Sequence, residues 1–122
     1  MEGKEQPAAV VLCDTRDARR HPRFKLAVAV SIHSRTSGVL KGDTVDISES
    51  GLAAMFRIEV PMGEVVELNF TLPLGPVVIY AIVCQRNAFR YGFQFLESSG
   101  ASEVIRRCCR QLAVDQFLTG EL

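Results

Sequence analysis

Two short stretches hold the side chains of this chain best suited to gripping a small anion. The first is Arg19-Arg20-His21-Pro22-Arg23, in which Arg19 and Arg23 have the spacing R-x-x-x-R. A guanidinium offers paired N–H donors that match a phosphate, and the same fork fits guanine O6 and N7. Its plane also stacks on a purine. Arg20 either assists with phosphate or faces water. The second stretch is Asp46-Ile47-Ser48-Glu49-Ser50-Gly51, spaced D-x-S-x-x-G. A carboxylate at Asp46 can accept from guanine N1–H and N2–H, or orient an arginine. Ser48 can donate to a phosphate or a base edge. Gly51 allows a positive φ and leaves room for a ligand against the backbone. The two stretches supply what a small anionic purine nucleotide needs, provided that folding joins them. The second also reads as a turn in its own right, with Asp and Ser bonding nearby backbone and Gly in the left-handed position.

The local charge favours an anion site. Arg16, Arg19, Arg20, Arg23 and Lys25 stand against Asp17 alone across residues 16–25, in a chain of zero formal net charge and pI near 6.7. A protein that coats long polyanions is normally basic overall, so neither DNA nor RNA is expected as a partner. A barrel that binds single strands would want aromatics exposed along a basic groove. Tyr91, Phe93 and Phe95 instead share one face of a strand and read as core. Hydrolytic chemistry would want a metal cluster, or a nucleophile paired with a base. His21 reads as a loop residue, and no metal motif or Ser–His–acid spacing surrounds His33. No enzyme, metal or cofactor is therefore expected. Cys13, Cys84, Cys108 and Cys109 form no C-x-x-C pair and read as reduced, largely buried thiols of a cytoplasmic protein. No signal-peptide pattern opens the chain, and no apolar run approaches the roughly 20 residues of a membrane helix. Membrane insertion is not expected.

The elements that must position the two stretches follow from periodicity. Phe24, Leu26, Val28, Val30 and Ile32 alternate with polar or small residues, which is a half-buried strand. A second strand spans about Val39 to Ile47, with Val45 and Ile47 on one face and Thr44 and Asp46 on the other. A third carries Leu52, Ala54, Phe56 and Ile58 on its inner face. Val66, Leu68, Phe70 and Leu72 mark a fourth. Val77 to Cys84 is apolar on both faces, so this fifth strand should be covered on both sides. Tyr91, Phe93 and Phe95 mark a sixth. Beyond Ser98-Ser99-Gly100 the period becomes helical, with Ile105, Cys108, Cys109, Leu112, Ala113 and Phe117 forming a stripe. Arg106, Arg107 and Arg110 fall on its solvated side. The prediction is a mainly β fold, a six-stranded antiparallel barrel with a C-terminal helix, since closure removes exposed sheet edges. One domain is expected over residues 19–118, with a flexible leader at 1–18, including a Val10-Val11-Leu12 patch, and a tail at 119–122.

R-x-x-x-R followed by D-x-S-x-x-G, on six strands and a terminal helix, resembles the PilZ family. The likeness covers about residues 19–115, and extends to the Gly63 turn and to Gly92 with Phe95 in the last strand. Some relatives carry a further arginine where this chain has Ala18. The resemblance implies a receptor for cyclic di-GMP, a bacterial second messenger. It implies that Arg19 and Arg23 hold phosphate and guanine, while Asp46, Ser48 and Gly51 line the guanine-facing surface. On this reading the chain is a stand-alone receptor whose arginine segment orders on the ligand and signals to a separate effector protein. The alternative is a PilZ-fold protein-interaction module that does not bind the nucleotide.

Overall fold

The computed structural model describes residues 21–96 and 99–119. The leader at 1–18, Arg19, Arg20 and the tail beyond Thr119 lie outside the described residues. Seven strands precede one helix: β1 (Phe24–Lys25), β2 (Ala29–Ser34), β3 (Gly38–Ile47), β4 (Gly51–Phe56), β5 (Val65–Leu72), β6 (Gly75–Asn87), β7 (Arg90–Phe95) and α1 (Ser99–Thr119). The sheet order is β1-β3-β2-β5-β6-β7-β4, and β4 pairs back onto β3. Strands β2 to β7 thus close a six-stranded antiparallel barrel, with β1 as an extra strand beside the end of β3.

The alternation of the sequence fills the barrel. Ile32, Ile47, Leu68, Ala54 and Val83 have no exposed surface, and they join Phe56, Tyr91 and Phe93 in one apolar cluster. Full burial of each large aliphatic side chain stabilises by about 1.5–3 kcal/mol. The rings of Tyr91 and Phe93 both meet Phe56 nearly edge-on. Tyr91 keeps its hydroxyl satisfied by accepting a hydrogen bond from Val60 N at 3.1 Å, which removes the desolvation cost of burying it.

The expected first strand is divided in two, although its alternation persists. Thr44 is the cause. Its hydroxyl donates to Leu26 O at 2.6 Å and accepts from Val28 N at 2.9 Å. The backbone adds Leu26 N to Val45 O and Thr44 N to Val28 O. A side chain of β3 thereby takes the place of ladder bonds in the stretch that separates β1 from β2. Thr44 is only 4% exposed, where alternation placed it outside and Val45 inside. The pairing of β3 with β4 explains this, because its register jumps between Thr44 and Asp46. Val45 is the extra residue of a bulge, and a bulge re-aims the side chains beyond it. Thr44 and Ile47 both point inward as a result, and Asp46 points out.

Four other expectations need correction. Strand β4 ends at Phe56, and Ile58 is 62% exposed. Strand β6 is not covered on both sides throughout, since Val78 and Tyr80 are exposed. The helix stripe runs through Ile105, Cys108 and Cys109 into the core, but ends on Gln116 rather than on Phe117, which is 73% exposed. The Gln116 amide donates to Lys25 O at 2.9 Å and accepts from Lys25 N at 3.1 Å. It mimics a strand and ties α1 to β1. Among the thiols, Cys108 and Cys109 are free and buried, as expected. Cys84 is disulfide-bonded, so the reading of four reduced thiols does not hold. Among the described residues, no helix is long and apolar enough to cross a membrane.

Candidate functional site

The outer face of β1, β3, β4, β7 and β6 is where the two sequence stretches meet. Register aligns Lys25, Asp46, Ala53, Gly92 and Gln85 across the barrel wall. Arg23 lies two residues from Lys25 on the same face, and Arg90 lies two residues from Gly92. Diagonal neighbours of this kind are within reach of long side chains. Arg23 Nη1 donates to Asp46 Oδ1 at 2.8 Å, and Arg90 Nη2 donates to Asp46 Oδ2 at 2.9 Å. Each arginine takes one oxygen of a single carboxylate, which leaves the trio with one net positive charge.

A groove of about 390 Å³ opens beside this trio, lined by Arg23, Ala53, Gln85, Arg86, Asn87, Arg90 and Gly92. Its centre is built from the smallest side chains of the face, Ala53 and Gly92, so flat groups can approach the sheet. Arg86 is fixed at the far wall. It donates to Ala88 O at 3.1 Å and to Glu59 at 3.2 Å, and lies 5.4 Å from the centre of the Tyr91 ring. A cation over an aromatic face is attracted by the ring quadrupole. The groove therefore offers guanidinium groups around a shallow floor, with one carboxylate at its edge. That is an arrangement for binding an anion with a flat donor-bearing ring. Among the described residues, no group of three or more His, Cys, Asp or Glu side chains is placed to hold a metal ion.

Ser48 and Gly51 do not face this groove. Ser48 has no exposed surface. Its hydroxyl oxygen accepts from Ser50 N and Gly51 N, each at 3.2 Å. Its own N–H donates to Gly51 O at 2.8 Å. The residue closes the β3–β4 turn on itself. Gly51 does not adopt a positive φ, since only Gly38, Gly63 and Gly75 do so among the described glycines. Its need for glycine is steric: an added Cβ would sit 2.1 Å from Phe93 O. The turn is also pinned from β7, where Phe95 N donates to Ser50 O at 2.8 Å. Both residues build the turn that follows Asp46.

Arg90 is the residue that the sequence reading missed. Alternation places it on the outer face with Gly92, but its meeting with Asp46 needs the β4–β7 pairing, which is not visible in one sequence. Arg106 and Arg107 both pair with Glu103 on the exposed side of α1, and neither lines the groove.

Comparison with known proteins agrees with this architecture. A sequence profile described as the PilZ domain matches residues 17–111, most of the chain. A search of characterised protein sequences returns no match. Among solved structures, the PilZ domain of YcgR from Escherichia coli with c-di-GMP superposes with a TM-score of 0.64 at 14% identity, covering 85% of this chain and 98% of that one. The PilZ domain of CeSA from a cellulose-synthesizing bacterium gives 0.62 at 17% identity, covering 75% and 98%. The MrkH–c-di-GMP complex of K. pneumonia gives 0.68 at 18% identity, covering 83% of this chain and 55% of that one. The chain therefore spans nearly all of the isolated domains and about half of the longer MrkH. At these identities the likeness establishes the fold, and with the profile match it shows that the chain belongs to the PilZ domain family.

Proposed function

We propose that this protein is a receptor for cyclic di-GMP, bound in the groove beside Asp46. The observation that carries the reading is the junction of the two motifs. Arg23 of R-x-x-x-R and Asp46 of D-x-S-x-x-G are in direct contact at the mouth of a guanidinium-lined groove. Family membership and the two relatives solved with c-di-GMP support the choice of nucleotide.

In this reading Arg23, with Arg19 and Arg20 of the preceding segment, takes phosphate oxygens and a guanine edge through paired donors. Asp46 accepts from the guanine N1–H and N2–H. Ser48 and Gly51 act through the turn that sets the position of Asp46. Ordering the arginine segment costs roughly 1–2 kcal/mol per residue in backbone entropy. A micromolar affinity, about 8 kcal/mol net, then requires several charge-assisted bonds together. The ordered segment changes the surface beside β1, which a separate effector protein reads. The reading places the protein in the cytoplasm, with no catalytic step.

Titration calorimetry with cyclic di-GMP, against cyclic di-AMP and GTP, tests the reading. Saturable binding of cyclic di-GMP that is lost in Arg23→Ala, with the fold intact, is the expected result. Absence of binding in the wild type would leave the rival reading, a PilZ-fold interaction module without a ligand.

A further inference from the structure

Resting on that reading, we infer that Arg90 is a positioning residue for the nucleotide, the fixed partner that keeps Asp46 aimed when Arg23 turns to the ligand. The two arginines hold Asp46 on unequal footings. Arg90 opens β7 and is paired across to Met55 in β4 and Asn87 in β6. Arg23 precedes a strand of two residues that pairs with β3 alone. The Asp46 side chain is 14% exposed, while those of Arg23 and Arg90 are 39% and 49% exposed. A largely covered carboxylate that loses its only cation is costly. With a guanidinium on each oxygen, Arg23 can exchange Asp46 for a phosphate while Arg90 stays.

The exchange also explains how one carboxylate can serve two states. Without nucleotide, Asp46 restrains Arg23 at the groove mouth. With nucleotide, the oxygen released by Arg23 becomes the acceptor for a guanine N–H, and Arg90 keeps the carboxylate plane in place through the other oxygen. Arg86 is anchored elsewhere, through Nε on Ala88 O and Nη1 on Glu59, rather than on Asp46.

Calorimetric titration of the full chain with cyclic di-GMP tests this. Arg90→Ala should weaken binding about tenfold, Arg90→Lys should recover part of the loss, and thermal melting should report folded protein for both. In an Asp46→Ala background, Arg90→Ala should change affinity less than twofold. Wild-type affinity in Arg90→Ala overturns the inference, as does an undiminished tenfold loss in the Asp46→Ala background, which would mean direct contact with ligand. Side-chain 15N spectra give a readout that needs no weakened background. In the saturated wild type the Arg90 guanidinium should rotate slowly, as in the free protein and unlike free Asp46→Asn; fast Arg90 rotation in the saturated protein overturns the proposal. A wild type that binds no cyclic di-GMP refutes the receptor reading itself, a result distinct from any of these.

Discussion

Asp46 and Ser48 stand two residues apart in one hexapeptide, yet they belong to different parts of the molecule. Asp46 lies on the outer wall, shared by two arginines at the edge of a groove. Ser48 has no exposed surface, and its hydroxyl is spent on the turn. Gly51 is pressed against the backbone of β7. A single motif thus holds an outward carboxylate shared by two arginines and the scaffold that fixes its place. Loss of ligand binding after a change anywhere in such a motif does not by itself identify a contact.

The sharpest break of this contrast is Gly51→Ala. A Cβ at 2.1 Å from Phe93 O must push β4 away from β7, and we expect a loss of about 3 kcal/mol or more in urea unfolding. Ser48→Ala removes the acceptor that Ser50 N and Gly51 N share. It should cost about 1–3 kcal/mol of stability, while the folded fraction still binds nucleotide. Asp46→Ala should do the reverse. Its ion pairs are partly exposed, so stability should change by under about 1 kcal/mol, while nucleotide affinity falls at least tenfold. If Ser48→Ala lost affinity without losing stability, the division of roles within the hexapeptide would be wrong.

The interior offers a pH test of the same division. Burial, reinforced by the neighbouring Cys108 and Glu49, pushes the Cys109 thiol up to about 12 from an ordinary 9.0. The unfolded chain releases this proton near the ordinary value and the folded chain only near the raised one. The folded state then binds more protons between the two, so stability declines as pH rises from about 9 towards 12. Native Cys108 and Cys109 should resist alkylation near pH 8 and react once urea unfolds the chain. Rapid labelling of folded protein would contradict their burial. The smallest effect expected is at Ala88, which takes a φ of 59° in the β6–β7 turn. Relief of that strain by Ala88→Gly should stabilise by roughly 0.5–1 kcal/mol, net of the added chain entropy.

Much of this fold is legible from alternation. Val66, Leu68, Phe70 and Leu72 face inward as their spacing dictates, as do Tyr91 and Phe93. The errors fall where tertiary pairing overrides local pattern. The bulge at Val45 turned Thr44 inward and could not be read from residue types, because a threonine beside a valine fits either face. The outward placement of Asp46 was expected on alternation, but the bulge is what delivers it. Ser48 is ambiguous in sequence, since a hydroxyl suits a phosphate and a turn equally well; in the fold it is buried and bonded to the turn. Gly51 reads in sequence as a residue for positive φ and for room beside a ligand; its φ is not positive, and an added Cβ would meet Phe93 O. The role of Arg90 is not legible in the sequence, because its partner is 44 residues away and meets it only through barrel closure.

On the proposed reading, the wall around Asp46, Ala53 and Gly92 receives cyclic di-GMP. The most direct measurement is a backbone amide NMR titration of the wild type. The largest shifts should fall at Asp46, Ala53, Arg90 and Gly92, with small ones at Val39 and Ile58 on the β2–β3 and β4 ends. Shifts centred on those ends, or none at Ala53 and Gly92 at saturation, would contradict it.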